Sequence, residues 1–173
     1  GCIASQGHTV VGVDVSQAKV DALNSARAPV YEPGLDALIA EAHGDGRISA
    51  ATALTDQLDD ADLAIVCVGT PSGVDGAHDM RFIIQVTKDI AAALKPDRSK
   101  PLTLAYRSTM RPGTCEAIIW PIIENALGDK AADAVELVDT AASESDSPAL
   151  DDDLTPPMVG VGTLGGKPSA NMH

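Results

Sequence analysis

The chain has 173 residues, enough for one ordinary domain, and its 12 Lys plus Arg against 25 Asp plus Glu leave a formal charge of −13. An acidic chain with 2% aromatic residues lacks the clustered cations and stacking rings of a nucleic-acid binder, and it offers little to an anionic membrane surface. Apolar residues at 45% exclude global disorder and call for a core built from Ala, Val, Ile and Leu.

Residues 1–7, GCIASQG, read as the last turns of a short helix stopped at Gly7. HTVVGVD, residues 8–14, is short and rich in Val, and predicts a buried strand. Ser16 stands where it would cap a helix over residues 17–26, with Val20, Leu23 and Ala26 on one face. RAPVYEPG, residues 27–34, breaks the pattern. Glu32 reads as a cap for the next helix, which carries Leu35, Leu38, Ile39 and Ala42 and closes near Gly44 and Gly46. Residues 47–52 predict a short strand, and Thr55 to Ala61 a brief helix.

ADLAIVCVG, residues 61–69, is an uninterrupted apolar run ended by Gly and then Pro, as in a parallel sheet covered on both faces. The loop over residues 70–79 leads into a helix over about 80–94. PLTLAYRST, residues 101–109, is a strand with its exit, and Pro112 suits the first turn of a helix reaching Ala126. Residues 134–139 predict one more strand. Asp139, Glu144, Asp146, Asp151, Asp152 and Asp153 follow with no base between them and read as a solvated loop. MVGVG, residues 158–162, is a candidate edge strand before a frayed tail. Strands alternating with helices predict an α/β chain with a mostly parallel sheet.

Cys2, Cys67 and Cys115 are odd in number and widely spaced, with no CxxC, so neither a disulfide framework nor a zinc site is expected. No apolar run spans a bilayer, and no basic segment precedes a hydrophobic one, so the cytoplasm is the expected compartment. The chain opens on Gly1 rather than Met, which lessens the weight of a missing leader.

Candidate chemistry gathers where strands end. Asp14 closes the first strand, where an acid accepts hydrogen bonds from adenosine ribose hydroxyls in dinucleotide-binding units. Taken alone, such an acid is more often a helix cap or a plain turn. Lys19, one turn into the next helix, reads either as a neighbour of the same ligand or as a surface lysine. CVGTPS, residues 67–72, empties a buried strand into a loop. There Gly69 allows close backbone approach and Thr70 offers a hydroxyl, while Cys67 reads as a small core residue. YRSTMRPGT, residues 106–114, repeats the arrangement with Ser108 and Thr109 as candidates for the nicotinamide half of a cofactor. Arg107 and Arg111 suit an anion or ion pairs, and Cys115 reads as structural. The glycine fingerprint that belongs about 20 residues before the ribose-binding acid would fall ahead of Gly1, and no GxGxxG occurs.

In order, GHTVVGVDVSQAKVDALNSARAPVYEPGLDALI, ADLAIVCVGTPS and RSTMRPGT resemble the NAD-binding domain of the UDP-glucose/GDP-mannose dehydrogenase family. The resemblance covers residues 1–139, with a weaker echo over residues 153–162. WPIIENALGDKAAD and TPPM look closer to the GDP-mannose branch; the UDP-glucose branch and a non-catalytic nucleotide-binding module are the alternatives. The resemblance implies a Rossmann-like, mostly parallel sheet with helices on both faces, lacking its first strand and glycine-rich loop. Residues 1–139 would form a partial NAD-binding domain, and residues 140–173 a divergent acidic loop, an edge strand and a tail.

It further implies NAD as cofactor, with Asp14 at the adenosine ribose, Lys19 beside the cofactor, and Thr70 and Thr109 as further contacts. The family oxidises the C6 alcohol of a nucleotide sugar to a carboxylate with two NAD in succession. Its catalytic cysteine and assisting lysine lie in later regions, and Cys2, Cys67 and Cys115 do not correspond to that cysteine. No catalytic or metal-binding residue is therefore expected here, and the chain alone is expected not to turn over. A nucleotide-sugar substrate and homo-oligomerisation are implied for the whole protein. The family's NPEFLREG-like segment would fall near residues 140–147, where TAASESDS stands. Without its first strand the sheet would leave central backbone groups unpaired and be marginally stable, unless neighbouring elements close the gap.

Overall fold

The computed structural model describes residues 1–70, 79–108, 110–139 and 158–163. A short helix α1 (Cys2–Ser5) turns at Gly7 into strand β1 (Thr9–Asp14). Helices α2 (Gln17–Asn24) and α3 (Leu35–Gly44) follow, then strands β2 (Ile48–Ala51) and β3 (Leu63–Cys67). Helix α4 (Arg81–Ala93) leads to β4 (Leu102–Tyr106). A π-helical turn (Cys115–Ile119) runs into α5 (Trp120–Leu127), and α6 (Ala131–Ala134) precedes β5 (Val135–Asp139) and β6 (Met158–Thr163).

The strands form one sheet in the order β2-β1-β6-β3-β4-β5. β1 with β2, β3 with β4 and β4 with β5 pair in parallel, whereas β6 runs antiparallel to both of its neighbours. The strand expected at an edge is therefore central. It stands in the position that the first strand holds in a 3-2-1-4-5-6 dinucleotide-binding sheet. β6 pairs with β1 from Thr9↔Thr163 to Asp14↔Met158 and with β3 from Leu63↔Gly162 to Cys67↔Met158. The gap expected beside β1 is closed, because backbone groups on a central strand need partners on both sides and β6 supplies them.

Alternation along the strands divides the core between the two faces. Val10 and Ala50 pack with Ala4, Leu23, Ile39, Ala42 and Ile48, beneath α1, α2 and α3. Val13, Ala64, Val66, Leu102, Leu104 and Tyr106 share the larger cluster with Ile83 and Ile90 of α4 and Ile123 of α5. Tyr106 is fully buried there, and its hydroxyl lies 2.7 Å from Thr87 Oγ1. Thr87 uses its own proton on the Ile83 carbonyl, 2.7 Å away, so the tyrosine is the donor to Thr87. Burial raises the Tyr106 phenol far above the ordinary tyrosine range.

Four local expectations are corrected. The segment from Thr55 to Ala61 is a series of turns. Gln57 captures the Thr55 amide at 2.6 Å, and Arg98 donates to the carbonyl oxygens of Leu58, Asp59 and Ala61 that a helix would use. Ser16 is the N-cap residue of α2, but its side chain makes no cap bond; the Asp14 carboxylate takes the Ser16 amide instead. Glu32 does not cap α3 with its carboxylate. Its carbonyl accepts from Leu35, and Gly34 holds the cap position in a left-handed conformation. Pro112 lies in a turn before the helix, because Gly113 has φ +84° and interrupts the helical path ahead of Thr114.

Candidate nucleotide-binding site

Because β6 is antiparallel to both β1 and β3, those two strands point the same way and end on the same edge of the sheet. Asp14 and Cys67 both register against Met158, so the two strand ends lie level, about 10 Å apart across one intervening strand. Thr70 is three residues beyond Cys67 and is half-buried at that edge. Thr109 lies outside the described residues.

Asp14 is 4% exposed. Its Oδ1 accepts the Ser16 amide at 2.8 Å, and its Oδ2 faces Lys19 Nζ at 3.2 Å. The carboxylate is thus held in place from two sides. Each of its oxygens carries about two acceptor sites, so neither is saturated by one donor. The sequence-level alternatives for Asp14 meet here: it tethers the start of α2 and also presents a fixed anion at the strand end. Lys19 is part-buried against it rather than extended into solvent.

Beside Asp14, on the α4 face, an open crevice of about 750 Å³ is lined by Val13, Val15, Thr52–Thr55, Val68, Phe82 and Val86. Phe82 is 44% exposed, one of the few aromatic rings in the chain, and it sits on the first turn of α4. Sequence reasoning missed this wall. The signal was an aromatic just after a loop, at the head of an amphipathic helix. An anchored carboxylate beside an apolar cleft suits a ligand with a polyhydroxylated sugar joined to a flat, largely apolar ring system.

Ser108 is not a free ligand contact. It is 4% exposed, accepts the Val68 amide at 3.1 Å, and donates to the Val68 carbonyl at 2.7 Å. Its hydroxyl extends the β3–β4 ladder past Arg107, whose amide reaches Val66 O at 2.9 Å, and so fixes where the Gly69–Thr70 loop departs. Ser108→Ala leaves a buried donor and a buried acceptor unpaired and is expected to cost about 2 kcal/mol. Urea denaturation measures the loss, and faster hydrogen exchange at the Val68 amide locates it.

Cys67, expected in the core, is exposed at the strand end. Partial shelter still raises its thiol above the usual range, with Arg107 opposing that rise. Cys115 is buried in the larger core cluster, as a structural cysteine should be. Among the described residues, no group of three or more His, Cys, Asp or Glu is placed to hold a metal ion. No helix there is long and apolar enough to cross a membrane.

The profile of the UDP-glucose/GDP-mannose dehydrogenase family, NAD binding domain, matches residues 1–172. The chain is 37% identical over 164 residues to GDP-mannose 6-dehydrogenase of Pseudomonas aeruginosa, covering 95% of this chain and 37% of that protein. It is 32% identical over 161 residues to a UDP-glucose 6-dehydrogenase of Haloferax volcanii, covering 93% of this chain and 37% of that protein. The chain thus spans little more than a third of the curated relatives it matches. Among solved structures, GDP-mannose dehydrogenase from Pseudomonas aeruginosa, crystallised as a ternary complex, superposes with a TM-score of 0.73 at 38% identity over 79% of this chain and 31% of that one. The UDP-N-acetyl-mannosamine dehydrogenase of Staphylococcus aureus gives a TM-score of 0.71 at 28% identity, over 82% of this chain and 33% of that one.

Proposed function

Because the chain belongs to the UDP-glucose/GDP-mannose dehydrogenase family, matching its NAD-binding domain, we propose that it holds NAD for the oxidation of a nucleotide sugar, GDP-mannose before UDP-glucose. The observation that carries the cofactor assignment is Asp14: a buried, doubly anchored carboxylate at the end of a strand, beside an apolar crevice. In this reading Asp14 accepts from the adenosine ribose hydroxyls, and Lys19 steadies the carboxylate. Val13, Val15, Phe82 and Val86 enclose the adenine. Thr70 lies on the path toward the other half of the cofactor, and Thr109 is assigned there with it by resemblance. NAD supplies the hydride acceptor; the chain supplies binding and orientation.

GDP-mannose is favoured because the GDP-mannose 6-dehydrogenases of Pseudomonas aeruginosa and Azotobacter vinelandii are 37% identical to the chain, against 31–32% for two UDP-glucose 6-dehydrogenases. The reading brings with it a homo-oligomeric enzyme in the cytoplasm, where free thiols such as Cys2, Cys67 and Cys115 are kept reduced. Residues 1–139 are assigned to the cofactor domain, and residues 140–173 to a segment that returns to it through β6.

A carboxylate at the ribose repels a 2′-phosphate. Titration calorimetry with the 173-residue chain is therefore expected to show NAD bound at least tenfold more tightly than NADP. Equal affinities would remove Asp14 from the ribose. In the protein containing this domain, NADH formation with GDP-mannose is expected to exceed that with UDP-glucose, and the reverse order would move the assignment to the other branch.

A further inference from the structure

The crevice beside Asp14 has polar groups on its α4 wall that the cofactor reading leaves unused. Phe82, Gln85, Val86 and Asp89 all line it. They lie three, four and seven residues apart on α4, so they share one helix face. Gln85 follows Phe82 by about 4.5 Å along the helix axis. On the facing wall, Thr55 turns its hydroxyl to Asp56 and its amide to Gln57.

Gln85 and Asp89 are bonded to each other. Gln85 Nε2 donates to Asp89 Oδ1 at 2.8 Å, across one helical turn. A carboxylate only accepts, so the amide nitrogen must face it, and this fixes which way round the Gln85 amide sits. The nitrogen spends one hydrogen on Asp89. Its second hydrogen and the carbonyl oxygen make up the other edge of the carboxamide, a donor beside an acceptor. Both residues are exposed, so a ligand in the crevice can reach that edge.

Adenine carries the complementary pattern, a 6-amino donor beside the N1 acceptor. A carboxamide pairs with adenine through two such bonds, its oxygen taking the 6-amino group and its nitrogen serving a ring nitrogen. Hypoxanthine reverses the pattern, with a 6-oxo acceptor beside a protonated N1. It matches Gln85 only if the amide turns over, and that sets the amide oxygen against the Asp89 carboxylate.

We propose that Gln85 reads the 6-amino and N1 edge of the base, and that Asp89 is the positioning residue that locks Gln85 against 6-oxo purines. The inference rests on the cofactor reading above and deepens it. Asp14 selects at the ribose; Gln85 and Asp89 select at the base.

Titration of the full 173-residue chain with AMP and with IMP tests the lock. AMP is expected to bind about tenfold more tightly than IMP, within the range a bidentate base contact provides. Asparagine can face Gln85 with either its oxygen or its nitrogen, so Asp89→Asn lets the amide turn over. That variant is expected to bring the two nucleotides within about threefold of each other, chiefly because IMP binds more tightly than to the parent, a gain that a merely structural role for Asp89 does not produce. Gln85→Ala is expected to remove the preference by weakening AMP to the level of IMP, and it decides the matter should Asp89→Asn bind neither nucleotide. Equal binding of AMP and IMP by the parent, a preference unchanged in Asp89→Asn, or one retained in Gln85→Ala overturns the lock and leaves the cofactor reading standing. Failure of the parent to bind AMP, IMP or NAD overturns both.

Discussion

Replacing Asp14 with alanine is expected to weaken AMP and NAD binding by about 10- to 100-fold. Hydrogen bonds to a charged group are worth about 1.5–3 kcal/mol, and about 1.4 kcal/mol is a factor of ten in affinity. The same carboxylate accepts the Ser16 amide and faces Lys19, so the alanine variant also releases the head of α2. Asp14→Asn separates the two effects. An asparagine oxygen still accepts from Ser16, and the neutral amide loses the charge that strengthens ribose binding and repels a 2′-phosphate. The asparagine variant is expected to keep the unfolding midpoint nearer to the parent, lose most of the AMP affinity, and narrow the preference for NAD over NADP. Calorimetric titration alongside urea denaturation reads both quantities. An alanine variant that stays folded and binds AMP as tightly as the parent would put the ribose elsewhere.

The second large effect concerns the fold. Gly160 registers against Gly12 of β1 and Ile65 of β3, in the middle of a strand hydrogen-bonded on both sides. Gly160→Pro removes the amide donor, whichever neighbour it serves, and sets a ring inside a central strand. The expected cost is about 3 kcal/mol or more, a large share of the roughly 5–15 kcal/mol that holds a domain of this kind together. Urea denaturation of the parent and the variant measures it. Loss of the cooperative transition, or a midpoint reduced in proportion, is the expected result. An unchanged midpoint would show that β6 contributes nothing to the folded state and that β1 and β3 are held together without it.

Much of this was legible from periodicity. The run from Ala61 to Gly69 and the Val-rich segment before Asp14 read as strands because buried parallel strands are continuously apolar, and β3 and β1 lie within them. Leu35, Leu38, Ile39 and Ala42 marked α3 by their spacing. Local competition was harder to read. Nothing in the letters from Thr55 to Ala61 says that Arg98, 37 to 40 residues later, takes three carbonyl oxygens from that segment. The position of β6 was invisible for a related reason. MVGVG signals a strand, but register and direction are chosen by the unpaired edges of β1 and β3, which only the assembled sheet exposes.

At the site, Asp14 and Lys19 were each legible as candidates at a strand end and the first turn of a helix, but their contact with one another was not read from the sequence. Ser108 was read for the wrong partner. A hydroxyl after a strand looks the same in sequence whether it faces a ligand or bonds the backbone of the adjacent strand, 40 residues away. Phe82 was overlooked because its role depends on α4 lying beside the ends of β1 and β2.

Amide chemical-shift mapping of the chain with AMP tests the site most directly. The account predicts shifts clustered at Val15, Ser16, Lys19, Thr52–Thr55 and Val68, around the Asp14 carboxylate and its crevice. Shifts gathered instead in the groove between α4 and α5, at Lys88, Ile122 and Asn125, would contradict it.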